Sequence, residues 1–332
     1  MQGPDSGAGR GSRGVLAVTW FEHRRTRELC AGLALELAVL DTRLRGIWRY
    51  LLLSWRTLVL LARQRPRVLL VQNPSLVLAV LAVMLRPIFG YRLIADAHNE
   101  AVTPYENRQR FIKGLSRWVV RRADLTIVTN RQLAQMVTLQ GGTPHVLPDR
   151  IPTPPAGPAR VPAEGFRVAL IATFARDEPV AAIFEAVRGA DLQLHVTGNP
   201  KKLAPAVAQG APPNVRFTGF LADADYWQLL RSVDVIIDLT LKADCLVCGA
   251  YEALAVGKPM LLSNNAACME LFGGSALYTD NTAEDIRRGL EQLRNECVPM
   301  AGAVALQRSQ LAVAWSRHAD ALAAMMRAWT AA

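Results

Sequence analysis

The chain has 332 residues, 51% of them apolar, with a formal net charge of +10 and five cysteines. It is too long and too apolar for a disulfide-stapled scaffold or a disordered polyelectrolyte, and it suits two domains with full cores. An odd cysteine count and a leading segment without an apolar signal core point to a reducing cytoplasm.

The charge is uneven. Residues 1–160 hold 23 Lys and Arg against 10 Asp and Glu, a surplus of 13, whereas residues 161–332 hold 15 against 18, a deficit of 3. A basic half on an otherwise neutral chain fits a polyanionic partner, or an Arg-rich surface that is simply solvated. No nucleic-acid motif accompanies it, so nucleic acid is not an expected partner.

Met1 to Arg13 is rich in Gly, Ser and Arg and reads as a disordered tail. Val15 to Thr19 is a first strand, followed by Arg24-Arg25-Thr26-Arg27 at the start of a helix reaching about Ala34. Such a turn holds an anion or merely exposes arginines. Leu35 to Leu40 is a second strand. Gly46 to Gln64 is a helix in which Trp48, Tyr50, Trp55 and many leucines alternate with Arg49, Arg56 and Arg63. It is too interrupted to span a bilayer. Trp with Arg suits a lipid headgroup boundary, while a helix packed on a sheet with snorkelling arginines gives the same composition.

Val68 to Gln72 is a buried strand ending in Asn73-Pro74-Ser75, and Leu76 to Leu85 a helix. Arg92 to Ala95 is a strand ending in Asp96-Ala97-His98-Asn99-Glu100. His98 stands just past a strand's carboxyl end, where open α/β sheets bind ligands. With Asp96 and Glu100 nearby it is a candidate general base or phosphate partner. Asn107 to Arg122 is a second helix, carrying six basic residues beside Phe111 and Trp118. Anionic lipid attracts such residues by about 1 kcal/mol each. Asp124 to Thr129, Gln132 to Leu139 and Val146 to Pro148 read as strand, helix and strand. Five prolines between Ile151 and Glu164 mark a linker and a domain boundary, so the expected division is 14–150, 151–164 and 165–304, with 305–332 as a closing helix.

The α/β alternation restarts with Phe166 to Ala172, the loop Thr173 to Glu178, and a helix from Pro179 to Arg188. Leu192 to Thr197 precedes Gly198-Asn199-Pro200-Lys201-Lys202, Val215 to Thr218 precedes Gly219-Phe220, and Tyr226 to Arg231 is helical. The most informative stretch follows the strand Val233 to Asp238. A loop carries Asp244, a helix from Gly249 to Val256 carries Glu252, and Gly257-Lys258-Pro259 leads into the next strand. A helix N-terminus seats phosphate, and a carboxylate beside it suits sugar or ribose hydroxyls. Cys245 and Cys248 form a lone pair without His partners and read as small packing residues. Ser275 to Tyr278 is the last strand, followed by helical segments at Ala283 to Arg294 and Leu306 to Trp329.

Asp244, seven residues, Glu252 and then Val256-Gly257-Lys258-Pro259 resemble the nucleotide-sugar site of the GT-B glycosyltransferases, above all the GT4-like enzymes. Asp244 stands where that family usually has Glu, one methylene longer. The resemblance implies an α/β fold of two Rossmann-like domains facing an interdomain cleft, with a C-terminal helix crossing back to the first. It implies a nucleoside-diphosphate sugar donor and no cofactor, and no metal is expected because no Asp-x-Asp to hold one is read in the second domain. Glu252 would hold the donor ribose, Asp244 the sugar, and Thr173, Arg176, Gly198, Lys201, Lys202, Cys248 and Gly249 the rest of the donor, with Phe220 in the loop at the base.

Gln72-Asn73-Pro74-Ser75 and Asp96-Ala97-His98-Asn99 are similar, over a narrower span, to acceptor-side motifs of the dolichol-pathway β-mannosyltransferase and its bacterial relatives on polyprenyl-linked sugars. That likeness implies a polyprenyl-pyrophosphate-linked saccharide as acceptor, in cell-surface polysaccharide synthesis on the inner face of the plasma membrane. Asn73, Asn99, Glu100, Arg24 and Arg25 would contact the acceptor, with His98 or Asp96 as catalytic base in an inverting route, or His98 on the sugar in a retaining one. The rivals are a nucleotide-sugar epimerase of the same architecture, an inactive homologue, and a non-catalytic basic protein of anionic membrane surfaces.

Overall fold

A computed structural model describes residues 14–73, 75–97, 99–102, 110–157 and 165–331, with the backbone alone at Asn73, Asn99 and Glu100. The tail 1–13, Pro74, His98 and linker residues 158–164 lie outside the described residues. The chain forms two compact units, one of residues 1–150 with 314–332, the other of 151–313.

The first unit alternates strand and helix: β1 (Val15–Thr19), α1 (Arg24–Gly32), β2 (Glu36–Val39), α2 (Gly46–Gln64), β3 (Val68–Asn73), α3 (Leu76–Phe89), β4 (Arg92–Ala97), α4 (Asn99–Val102), α5 (Arg110–Arg122), β5 (Leu125–Val128), α6 (Arg131–Leu139) and β6 (Pro144–Val146). Its six strands are all parallel, in the order β2-β1-β3-β4-β5-β6. Helices cover both faces, which is why strands such as Val15–Thr19 are buried along their whole length.

The second unit contains β7 (Arg167–Leu170), α7 (Val180–Val187), β8 (Gln193–Thr197), α8 (Pro205–Gln209), β9 (Val215–Gly219), α9 (Asp223–Ser232), β10 (Val235–Asp238), α10 (Cys248–Val256), β11 (Met260–Ser263), α11 (Ala266–Phe272) and β12 (Ala276–Thr279). Its parallel sheet runs β12-β11-β10-β7-β8-β9. The chain builds outward from β7 through β9 and then restarts at β10 on the other side of β7. The break in strand order between β7 and β10 is the topological switch point, where open α/β sheets take ligands at the strands' carboxyl ends.

Several elements depart from the sequence reading, among them α8, which it does not contain, and α3, which runs past Leu85 to Phe89. β4 extends through Asp96 and Ala97, so Asp96 lies inside the sheet opposite Gln72 rather than in a loop past the strand's end. α4 was not foreseen; four residues carry too little periodicity to be read. The two expected C-terminal helices are one, α12 (Ala283–Ala331), which runs through Pro299. Proline removes one backbone hydrogen bond, and burial of Met300 and Val304 in the second unit's cores holds the helix across that gap. Further on, Trp315, Ala319, Leu322 and Met326, spaced at helical intervals, pack with β1 and β3 of the first unit.

Candidate active site

The carboxyl edge of the second sheet is built from the loops that follow β7, β8 and β10. After β7, the Glu178 carboxylate folds back over its own loop. It accepts the Thr173 N–H at 3.0 and 3.1 Å, the Thr173 hydroxyl at 2.6 Å and the Phe174 N–H at 2.8 Å. Asp177 joins this loop to the one after β10. Its Oδ2 accepts the Thr240 hydroxyl at 2.8 Å and lies 3.6 Å from Lys242 Nζ, and its carbonyl accepts the Leu241 N–H at 2.7 Å.

Gly198, at the end of β8, has φ +90°, and a Cβ there would stand 2.2 Å from the Ala172 carbonyl oxygen. Only glycine lets the β8 turn approach the β7 loop this closely. Beyond it Asn199 accepts the Lys201 N–H at 3.1 Å, which leaves the side chains of Lys201 and Lys202 exposed on a short 3₁₀ turn.

The loop from Thr240 to Val247 carries Asp244, half-buried, and is pinned at both ends. The Thr240 N–H donates to Ser263 Oγ at 2.8 Å, and Asn281 Nδ2 donates to the Thr240 carbonyl at 3.3 Å. The Cys245 carbonyl accepts from Asn265 Nδ2 at 3.2 Å and from Cys268 Sγ at 3.4 Å. Cys245 and Cys248 form no disulfide, and the second is exposed.

α10 then starts against Asp238. Gly249 N–H donates to Asp238 Oδ2 at 2.7 Å. A Cβ on Gly249 would meet that oxygen at 2.5 Å and Ile171 Cδ1 at 2.7 Å, so the residue must be glycine for the helix to seat on β10. One turn further Glu252 is buried, and its carboxylate accepts the hydroxyl of Tyr226 from α9. Asp238 is held well above the usual carboxylate range. Burial is the largest cause, the Gly249 hydrogen bond acts against it, and the charges of Glu252, Glu178 and Asp177 add to it.

The structure therefore brings Thr173, Gly198, Asp244, Cys248, Gly249 and Glu252 to one strand-end edge within the second unit, with Arg176 exposed on the first of its loops. Phe220, after β9, is 92% exposed. Sequence reading missed Asp238, Tyr226 and the loop-closing Glu178. Asp238 had a signal, a carboxylate ending the apolar run Val235–Ile237 at the ligand side of a parallel sheet. Tyr226 and Glu178 had none, because their importance comes from partners 26 and 5 residues away. An Asp-x-Asp triplet does occur at Asp223-Ala224-Asp225, exposed on the first turn of α9. There it complements the helix dipole. Among the described residues no cluster of His, Cys, Asp and Glu is arranged to hold a metal ion.

In the first unit the expected ligand edge looks different. Thr19 donates to Gln72 Oε1 at 2.5 Å across the β1–β3 switch point. Arg25 does not point to an open acceptor surface, nor Asp96 to an open base position. Both are turned inward, Arg25 Nη2 and Nε reaching Asp96 Oδ1 at 2.9 and 3.2 Å, with Asp149 as second acid and the Leu147 carbonyl at 3.2 Å. Asp96 is fully buried and Arg25 nearly so. Local patterning offers only an anion site or exposed arginines at this turn, because the acids that hold Arg25, 71 and 124 residues further along, are invisible to it. Arg24 is half-buried. His98 and the side chains of Asn73, Asn99 and Glu100 lie outside the described residues.

Two units, each a helix-covered parallel sheet of doubly wound type, define the GT-B class of glycosyltransferase fold. Residues 164–296, most of the second unit, match the family model described as glycosyl transferases group 1. The chain thus has the GT-B fold, and its second unit contains a domain similar to the glycosyl transferases of group 1. Among solved structures it is similar to sucrose-phosphate synthase from Thermosynechococcus elongatus, at 14% identity and TM-score 0.79, covering 96% of this chain and 99% of that one. It is similar to Anabaena HepE, solved with UDP and glucose, at 14% identity and TM-score 0.68 over 90% and 94% of the two chains. A putative UDP-N-acetylglucosamine 2-epimerase from Listeria monocytogenes also shares the fold, at 16% identity and TM-score 0.60 over 88% and 90%. No curated protein matches the sequence.

Proposed function

We propose that the chain moves a sugar from a nucleoside-diphosphate sugar, held by the second unit, to a lipid-linked saccharide carried by the first. The observation that supports it most is the buried carboxylate of Glu252 one turn inside α10, beside the β7–β10 switch point. The Tyr226 hydroxyl fixes that carboxylate, and a carboxylate so fixed accepts paired ribose hydroxyls. HepE, of like fold, was solved with UDP and glucose, which favours a uridine donor.

In transfer, the bond from the anomeric carbon to the diphosphate oxygen breaks and a bond to the acceptor hydroxyl oxygen forms. The acceptor proton goes to a base, for which His98 is our candidate. The departing diphosphate gains negative charge, which Lys242, Lys201, Lys202, Arg176 and the first turn of α10 would stabilise, with Asp244 on the sugar. The acceptor is proposed to be polyprenyl-pyrophosphate-linked, with Asn73, Asn99, Glu100 and Arg24 as its contacts, in cell-surface polysaccharide synthesis at the inner face of the membrane.

The test is a thermal-shift screen of nucleoside diphosphates and their sugars. A ligand at about 100 times its Kd adds roughly 2.7 kcal/mol of stability. UDP or GDP should stabilise the wild type, and Glu252→Ala should abolish the effect. No response to any nucleotide would refute the reading. The likeness to the epimerase supports a second reading, separated by incubation with donor alone: a change of sugar configuration without acceptor would favour it.

A further inference from the structure

One face of the first sheet is covered by α2, α3 and α5, which share a core through Leu53, Leu61, Leu78, Ala82 and Val119. The three helices contain nine Lys and Arg and not one Asp or Glu, and of these Arg49 and Arg86 pair with the flanking acids Asp41 and Asp124.

α2 is apolar on two opposite sides. Leu53, Thr57 and Leu61, four residues apart, are buried against the sheet. On the other side Trp48, Leu51 and Trp55 are 68%, 54% and 62% exposed. A helix needs one apolar stripe to join a core; a second, aromatic one requires another explanation. The neighbouring helices repeat the pattern with Met84 and Ile88 on α3 and Phe111 on α5, all strongly exposed. Single exposed apolar side chains are ordinary, but here several stand on one helical layer.

Charge decides the partner. Arginine directly follows Trp48 and Trp55 and precedes Phe111. Protein interfaces also favour aromatic residues, Met and Arg, but they pair charges of both signs across the contact; helices that carry only positive charge fit an anionic bilayer, which accepts apolar rings at headgroup depth with cations among its phosphates. The stripe is also held rigidly: Arg49 donates to the Trp20 carbonyl and Arg56 to the Asp41 carbonyl, each at 2.8 Å. Among the described residues no helix is long and apolar enough to cross a membrane.

We propose that the outer face of α2, α3 and α5 docks on an anionic lipid bilayer, with Trp48 and Trp55 at headgroup depth and the arginines on lipid phosphates. This deepens the acceptor half of the proposed function. It is tested without nucleotide, so that its failure and failure of the donor site are told apart.

The full chain is floated with vesicles of phosphatidylcholine alone or mixed with phosphatidylglycerol. It should float with the mixed vesicles, much less with the neutral ones, and be released by salt. Trp48→Ser with Trp55→Ser should lower the bound fraction about tenfold with an unchanged melting curve, because both rings are outside the core. Glu252→Ala should float as the wild type does. The proposal is overturned if anionic vesicles are not bound at low salt, or if the Trp variant binds as well as wild type. It is equally overturned if the chain is a dimer in solution that the Trp variant dissolves, which would make the face a contact between copies.

Discussion

The carboxylate of Asp238, the last residue of β10, accepts the backbone N–H of Gly249 in the first turn of α10 across 2.7 Å. The helix start at the centre of the proposed donor site is therefore partly closed by the protein's own acid. Asp238 is also an acid under strain, raised by burial above all and by the neighbouring Glu252, Glu178 and Asp177, against the pull of the Gly249 hydrogen bond.

A stability profile follows from this. The folded state holds the Asp238 proton more tightly than the unfolded chain does. The contribution is fully present below the ordinary carboxylate range and is lost as pH rises through the raised folded value. Asp238→Asn keeps an oxygen for the Gly249 N–H and removes the charge. Its melting temperature should exceed that of the wild type at neutral pH, and the gap should close as pH falls below the Asp238 titration. Thermal melts across a pH series check this; a variant less stable than wild type at neutral pH would show that the charge itself is wanted.

Two glycines separate close approach from backbone strain. Gly198→Ala places a Cβ 2.2 Å from a backbone oxygen at φ +90°, so both the sheet and the loop must shift. We expect a loss of about 1–3 kcal/mol or more in urea unfolding. Gly219→Ala, at φ +68° with nothing within 4 Å of the new Cβ, should lose only the left-handed penalty, about 1–2 kcal/mol. Nucleotide binding should weaken in the first and persist in the second, since Gly198 shapes the β7–β8 edge and Gly219 does not.

Much of this molecule was legible from its sequence. Apolar runs such as Val68–Val71 and Val235–Ile237 flanked by helical periodicity give parallel strands with covered faces, and the stretch from Asp244 to Pro259, which resembles a nucleotide-sugar site, lies inside the range that matches the group 1 model. What stayed hidden depends on partners distant in the chain. Arg25 reads as a free cation until Asp96 and Asp149 are seen around it. Glu178 reads as an ordinary loop acid until it closes on Thr173 and Phe174. The helical segments expected up to Arg294 and from Leu306 are one helix, because burial of Met300 and Val304, which local periodicity does not reveal, offsets the hydrogen bond missing at Pro299.

The Arg25–Asp96 pair yields the last prediction. Asp96 is wholly buried, with Oδ1 on Arg25 and Oδ2 without a hydrogen-bond partner among the described residues. Removing the cation alone strands a buried charge, which typically costs about 3–5 kcal/mol, whereas replacing both members with apolar groups is often near neutral. Arg25→Met should therefore unfold at much lower urea than wild type, and Arg25→Met with Asp96→Leu should recover a large part of the loss. Asp149 complicates the recovery only modestly, because its side chain keeps contact with solvent and can be hydrated when the arginine is gone. The coupling energy from the double-mutant cycle distinguishes the two roles considered for Asp96. A coupling of several kcal/mol identifies a structural pair that holds α1 on the first sheet. A coupling below about 1 kcal/mol is what a solvated acid, available as a catalytic base, would give.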